Sequence, residues 1–237
     1  MTEEREWEVT DVLLFLGLAV PVFIPGLAGS LALLTAVGMQ AKGARLLIAQ
    51  MVGYAFTLIP LWLVFQRRYD RNPLEMLRMG VSRREAGAAF PAGIITALCV
   101  LILAAVLQTP HLDTPMEELL ADSVSLAAAA FLGTTIAPWF EELFFRGLLQ
   151  PVLVRVTGVI PGILLASLPF ALLHAPQYSW SWRHVLIITV AGACFGWRRH
   201  KTGSTGAAWV MHAGYNLLLF AGFIAGKWAG ADLGRSI

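Results

Sequence analysis

The sequence predicts an all-helical bundle of about seven membrane-spanning helices, and three observations carry that expectation. Of 237 residues, 57% are hydrophobic and only 14% charged, with a mean hydropathy of +0.69, whereas soluble domains are about half apolar and about a quarter charged. The apolar residues fall in runs of roughly 20, the length that crosses the bilayer core at about 1.5 Å per residue. The arginines gather at the ends of those runs rather than on one face interleaved with aromatics, which argues against nucleic-acid binding.

Taken in order, the spans are expected at residues 11–37, 44–66, 87–107, 123–150, 157–174, 184–198 and 204–226. The first contains Pro21, Pro25 and Gly26, so it is expected to kink or to split in two, giving eight segments. Ahead of it the N-terminus is acidic (Glu3, Glu4, Glu6, Glu8) where a signal peptide would be basic, so it is read as retained. After the second span comes a stretch with Arg67, Arg68, Arg71, Arg78, Arg83 and Arg84. It is expected on the cytoplasmic side, with a short interfacial helix over Pro73 to Arg84.

The third span leads to a connection, 108–122, with Asp113, Glu117, Glu118 and Asp122 but no Lys or Arg, expected on the opposite side. Arg146 and Arg155 at the end of the fourth span, and Arg198, Arg199 and Lys201 after the sixth, return to the basic side. Seven spans place the N-terminus inside and the C-terminus outside. Cys99 and Cys194 lie within apolar runs and imply no disulfide framework. One membrane domain over residues 1–237 is the expected organisation.

Polar residues inside the spans carry the functional reading. Glu141, Glu142 and Arg146 interrupt the fourth span, each costing about 2.5 to 3.5 kcal/mol near a helix centre on insertion scales. Glu142 and Arg146 are i and i+4 and can pair, while Glu141 points about 100° away and stays available. The fifth span ends on His174, four residues after Phe170, and the seventh carries His212 and Asn216, again four apart. Each alone has an ordinary explanation as a helix-end or inter-helix hydrogen-bonding group. His184 and His200 at span ends and His111 in the outer connection are weaker candidates.

Together the six suit attack of water on an amide. Glu141 would take the proton, His174 would orient the water or protonate the leaving amine, and His212 with Asn216 would donate to the oxyanion. Zinc is the alternative means of activating the water, with Glu141, His174 and His212 as candidate ligands. The chain lacks His-Glu-x-x-His, Gly-x-Gly-Asp and a Ser or Cys nucleophile motif.

Three ordered segments carry a resemblance: Glu141-Glu142-Leu143-Phe144-Phe145-Arg146 (EExxxR), Phe170-Ala171-Leu172-Leu173-His174 (FxxxH) and His212-Ala213-Gly214-Tyr215-Asn216 (HxxxN). They resemble the type II CAAX prenyl endopeptidases and their CPBP (ABI) relatives, which are intramembrane proteases. The stretch from Phe195 to Ser204 is similar to that family's approach to its last motif, and the resemblance spans residues 122–222. It implies that Glu141 activates water with His174, that Glu142 and Arg146 support it, and that His212 and Asn216 form the oxyanion hole. Members are often labelled metalloproteases, and a glutamate mechanism without metal has also been proposed for them. The implied partners are a peptide or protein substrate, lipidated in some members, and membrane lipids, but no nucleic acid. Two other readings stand beside this one: a transporter or proton relay, since buried acids and histidines also mark ion paths, and a catalytically silent immunity or scaffold protein of the same fold.

Overall fold

The computed structural model describes residues 7–110 and 122–228. The acidic stretch with Asp113, Glu117 and Glu118, and His111, lies outside them. The described residues are helical throughout, without strands: α1 (Val9–Ala36), α2 (Lys42–Tyr69), a single-turn α3 (Pro73–Met76), α4 (Arg83–Val106), α5 (Ser123–Thr134), α6 (Ile136–Glu142), a π-helical stretch (Leu143–Leu149), α7 (Gln150–Thr157), α8 (Val159–His174), a 3₁₀ turn (Ala175–Tyr178), α9 (Trp182–Thr202) and α10 (Thr205–Trp228).

Six of these are long and apolar enough to cross a bilayer, with 123–157 counted as one run. Their outer faces show Leu13, Ile59, Ile102, Phe131 and Leu165 to the surroundings, a continuous apolar exterior that lipid tolerates and water does not. The expected sixth span, 184–198, lies in α9, which has 21 residues but carries Arg183 near its start and Arg198, Arg199 and Lys201 at its end. Its apolar part is therefore shorter. It buries Ile187, Ala191 and Phe195 with α4 and α10 residues.

Two local expectations need correction. The first span is one helix, neither split nor doubled, although Pro21 and Pro25 lie inside it. Each proline removes one backbone donor, a loss that a membrane helix packed on a neighbour tolerates without ending. The interfacial helix expected over Pro73 to Arg84 stops at Met76. Ser82 accepts from Glu85 N–H while the Glu85 carboxylate accepts from Ser82 N–H, and this capping box assigns Arg83 to the start of α4.

The N-terminal helices are tied to the rest by polar contacts at one end. Asp11, fully buried, forms an ion pair with Arg68, Oδ1 lying 2.9 Å from Nε, and accepts a hydrogen bond from the Tyr69 hydroxyl, joining the start of α1 to the end of α2. Trp7 donates to Leu148 O at 2.9 Å and packs with Phe65, Leu61 and Leu143. Small residues bring α4 onto α10: a Cβ at Gly93 would run into the Met211 and Tyr215 backbone, and one at Gly214 into Phe90 O. This close approach, typical of membrane helices, fixes the rotation of α10 about its axis.

Candidate active site

The long run 123–157 changes geometry at the acidic pair. Thr135 breaks the helix (φ −120°, ψ −66°) and Pro138 follows. After Glu142 the register widens until Gln150 N–H reaches Phe145 O, five residues back. Pro151 has no N–H for Gly147 O, which gives a physical cause for the wider π turn. The stretch positions Arg146 against two helices at once.

Arg146 is completely buried. It donates to Glu142 Oε1 at 3.1 Å and to Gly192 O at 2.8 Å, with its guanidinium carbon 4.5 Å from the Phe170 ring centroid, 5.7 Å from Phe195 and 5.8 Å from Phe145. Planar delocalised charge suits such an aromatic cage better than a lysine ammonium would. Four residues on, Gln150 donates to Gly196 O at 2.9 Å. Gly192 and Gly196 are themselves four apart on α9, so two polar side chains dock onto two glycine carbonyls in register. A Cβ at Gly192 would sit 2.8 Å from an Arg146 terminal nitrogen.

Glu142 Oε1 also accepts from His212 Nδ1 at 2.9 Å, and both side chains are essentially buried. Among the described residues Glu142 Oε2 finds no hydrogen-bond partner. The other face of the imidazole looks at Glu141: His212 Nε2 and Glu141 Oε2 are 3.7 Å apart, and Glu141 keeps 18% of its side chain exposed. Phe195 stacks on the His212 ring at 4.4 Å and Phe170 meets it edge-on at 5.8 Å, so the ring cannot turn away from the two acids. Tyr54 of α2 accepts from Gln50 Nε2 at 3.0 Å and packs on Phe140, the residue before Glu141, with ring centroids 5.4 Å apart.

His174 reaches the cluster through Phe170, whose ring is 4.8 Å from its own. Its Nδ1–H donates to Phe170 O at 2.8 Å; the carbonyl can only accept, so in the neutral ring Nε2 is left as an acceptor. Asn216 lies one turn beyond His212 and donates to Gly133 O at 2.7 Å, while Trp209 donates to Thr135 O at 2.9 Å. Both serve carbonyls next to the Thr135–Pro138 break.

Thus Glu141, Glu142, Arg146 and His212 form one network, His174 joins it across an aromatic ring, and Asn216 braces the helix that bears the acids. Among the described residues no group of three or more His, Cys, Asp or Glu side chains is arranged to hold a metal ion. Glu141, His174 and His212 do not form such a set, and each histidine has Nδ1 committed elsewhere, so the metalloprotease expectation gains no support. Sequence reasoning missed Gly192 and Gly196, whose small-x-x-x-small spacing was a readable signal. It also missed Gln150, Tyr54 and the Phe195 stack.

Fold and site define a multi-pass helical membrane protein with a buried acid, arginine and histidine cluster at its centre. Residues 123–218 match the family model described as type II CAAX prenyl endopeptidase Rce1-like. No curated protein and no solved structure matches the chain.

Proposed function

We propose that the chain is an intramembrane endopeptidase that hydrolyses a peptide bond with water activated by Glu141. The observation that carries this reading is the inequality of the adjacent acids. Glu142 is buried and held by Arg146 and His212, whereas Glu141 stays partly exposed and faces His212 Nε2 across 3.7 Å. That gap exceeds a direct hydrogen bond and has the width that one bridging water spans.

Charge balance sets the protonation. Two acids against one arginine leave the dehydrated cluster one proton short of neutrality, and that proton resides on Glu141 or on His212. With it on His212, Nδ1–H donates to Glu142, Nε2–H points toward the reacting atoms, and Glu141 is an unprotonated base. Glu141 then takes a proton from water as the water oxygen attacks the scissile carbonyl carbon. His212 Nε2–H stabilises the resulting oxyanion, aided by the Asn216 N–H that Gly133 does not use. Protonated Glu141 returns the proton to the leaving amine, directly or by way of His174 Nε2, which accepts it from Glu141 and passes it on, as the C–N bond breaks. The basic ends of the helices favour a cytoplasmic N-terminus and a single membrane domain, with the substrate a peptide or lipidated peptide.

The test uses purified wild type and Glu141→Gln with prenylated and unprenylated CAAX peptides presented in bilayers. Loss of a general base predicts cleavage reduced by about 10² to 10⁴, with unfolding temperature nearly unchanged because the remaining three members stay paired. Undiminished cleavage by Glu141→Gln would falsify the base assignment. Proton flux in liposomes without proteolysis would move the protein to the transport class.

A further inference from the structure

Outside the residues that match the family model, one polar pair lies within a candidate span and packs toward the acidic cluster. Gln50 and Tyr54 are i and i+4 on α2, both partly buried, and Gln50 Nε2 donates to the Tyr54 hydroxyl oxygen at 3.0 Å. Among the described residues neither side chain makes another hydrogen bond. The Tyr54 O–H therefore keeps its capacity to donate, and the Gln50 carbonyl oxygen its capacity to accept. Polar groups left over in a low-dielectric span cost free energy, and they mark functional positions there.

The neighbours of the pair hold it in one direction. Tyr54 lies between two rings, Phe23 of α1 at 5.5 Å and Phe140 of α6 at 5.4 Å. Phe23 comes this close because position 53 is glycine: a Cβ there would lie 2.8 Å from Phe23 Cε2. The interlock is reciprocal, since a Cβ at Gly26 would lie 2.9 Å from Phe56 Cγ. In this way α1 and α2 present Tyr54 to α6 as a unit. Phe140 immediately precedes Glu141, and consecutive Cα atoms are about 3.8 Å apart. An extended peptide advances about 3.3 Å per residue, so a chain whose scissile bond lies at Glu141 meets Tyr54 within about three residues of that bond.

We infer that Gln50 and Tyr54 dock the backbone of the peptide substrate: the Tyr54 O–H donates to one substrate carbonyl, and the Gln50 carbonyl oxygen accepts from one substrate N–H. Each residue of a peptide offers one donor and one acceptor on its main chain, which complements what the pair leaves open. Recognition of this kind gives affinity without reading side chains. It also favours an unwound substrate, because in lipid a helix satisfies its own backbone groups and has none to offer. The inference takes its substrate from the peptidase reading, but it concerns binding and not the chemical step.

The test measures binding separately from turnover. Peptide affinity is read on Glu141→Gln in nanodiscs, with a CAAX peptide and with copies N-methylated at one backbone amide at a time; kcat and KM are read on the chain with Glu141 intact. Tyr54→Phe and Gln50→Leu should each weaken affinity and raise KM about five- to tenfold, the size of one hydrogen bond, with kcat hardly changed. Tyr54→Phe keeps both ring contacts, so its unfolding temperature should stay near that of the wild type. Methylation of one particular amide should weaken binding by the same factor and have no further effect in Gln50→Leu, a cancellation that a merely structural glutamine does not produce. Phe56→Leu, which loosens α1 against α2 at Gly26 rather than at the pair, should leave affinity unchanged. Peptide bound in a Gln50- and Tyr54-dependent way but not cut by the wild type would keep the docking site and sink the peptidase reading. Undiminished affinity in Tyr54→Phe and Gln50→Leu, or the lack of any amide whose methylation effect disappears in Gln50→Leu, overturns the proposal.

Discussion

The run from Ser123 to Thr157 passes through two polar environments that treat charge in opposite ways. At its centre Glu142, Arg146 and His212 are buried and mutually bonded, with Glu141 at the margin. Two turns further on, Gln150 and Arg155 border a cavity lined by Trp7, Arg78 and Arg199 at the ends of the helices. A neutral cluster in low dielectric holds its members in one arrangement and leaves a single proton free to move, which suits chemistry. Near the membrane boundary the arginines are held by contacts of their own, Arg155 on Trp7 O and Arg199 on Thr205 Oγ1, which suits bracing of one segment against another.

The strongest way to break the contrast is to unbalance the centre. Arg146→Gln leaves two carboxylates without their cation and removes the hydrogen bond to Gly192 O, and loss of one partner from a buried pair costs about 3 to 5 kcal/mol. Thermal or denaturant unfolding in detergent should fall by that amount, and cleavage should vanish with it. Glu142→Gln together with Arg146→Met should recover much of the stability without restoring cleavage. If stability and cleavage return together, the pair is a structural device and not part of the reaction.

A smaller effect is expected at Asn216, which the sequence placed in the oxyanion hole and the fold places against Gly133 O. Asn216→Ala should cost about 1 kcal/mol of stability for the lost hydrogen bond and about 10² to 10³ in turnover if the second N–H serves the oxyanion. Trp209→Phe removes the companion bond to Thr135 O and tests bracing alone. Equal turnover losses in the two variants would reduce Asn216 to a brace.

How much of this was legible depended on whether the signal was local. The apolar spans and the order Glu141, Glu142, Arg146, His174, His212, Asn216 are properties of short windows, and an i, i+4 pair on one helix needs no tertiary knowledge. The π turn was not legible, because nothing in its apolar residues distinguishes it from α-helix except Pro151 downstream. The end of α3 was readable from Ser82 and Glu85, yet the run of arginines drew attention away from the cap. The basic cavity could not be read at all: Trp7, Arg71, Arg155 and Gly203 become neighbours only once α1, α2, α7 and α9 are packed.

The two glycines of α9 give the finest test, since one touches each environment. A Cβ at Gly192 meets the Arg146 terminal nitrogen at 2.8 Å and the Phe170 ring at 3.1 Å; a Cβ at Gly196 meets Gln150 Oε1 at 2.6 Å and Ile163 Cγ2 at 3.0 Å. The raw distance is shorter at Gly196, but what matters is whether the neighbour can yield. Arg146 is pinned by Glu142, Gly192 O and three rings, whereas Gln150 Oε1 has no partner among the described residues and ends a flexible chain. Gly192→Ala should therefore cost about 1 to 3 kcal/mol, the usual range for overpacking, and lower cleavage. Gly196→Ala should cost less than about 1 kcal/mol, since Ala also gains helix propensity over Gly, and should leave cleavage near wild type. A reversed order would mean that the arginine cage is the softer of the two, and would remove the rigidity on which the contrast between the two environments depends.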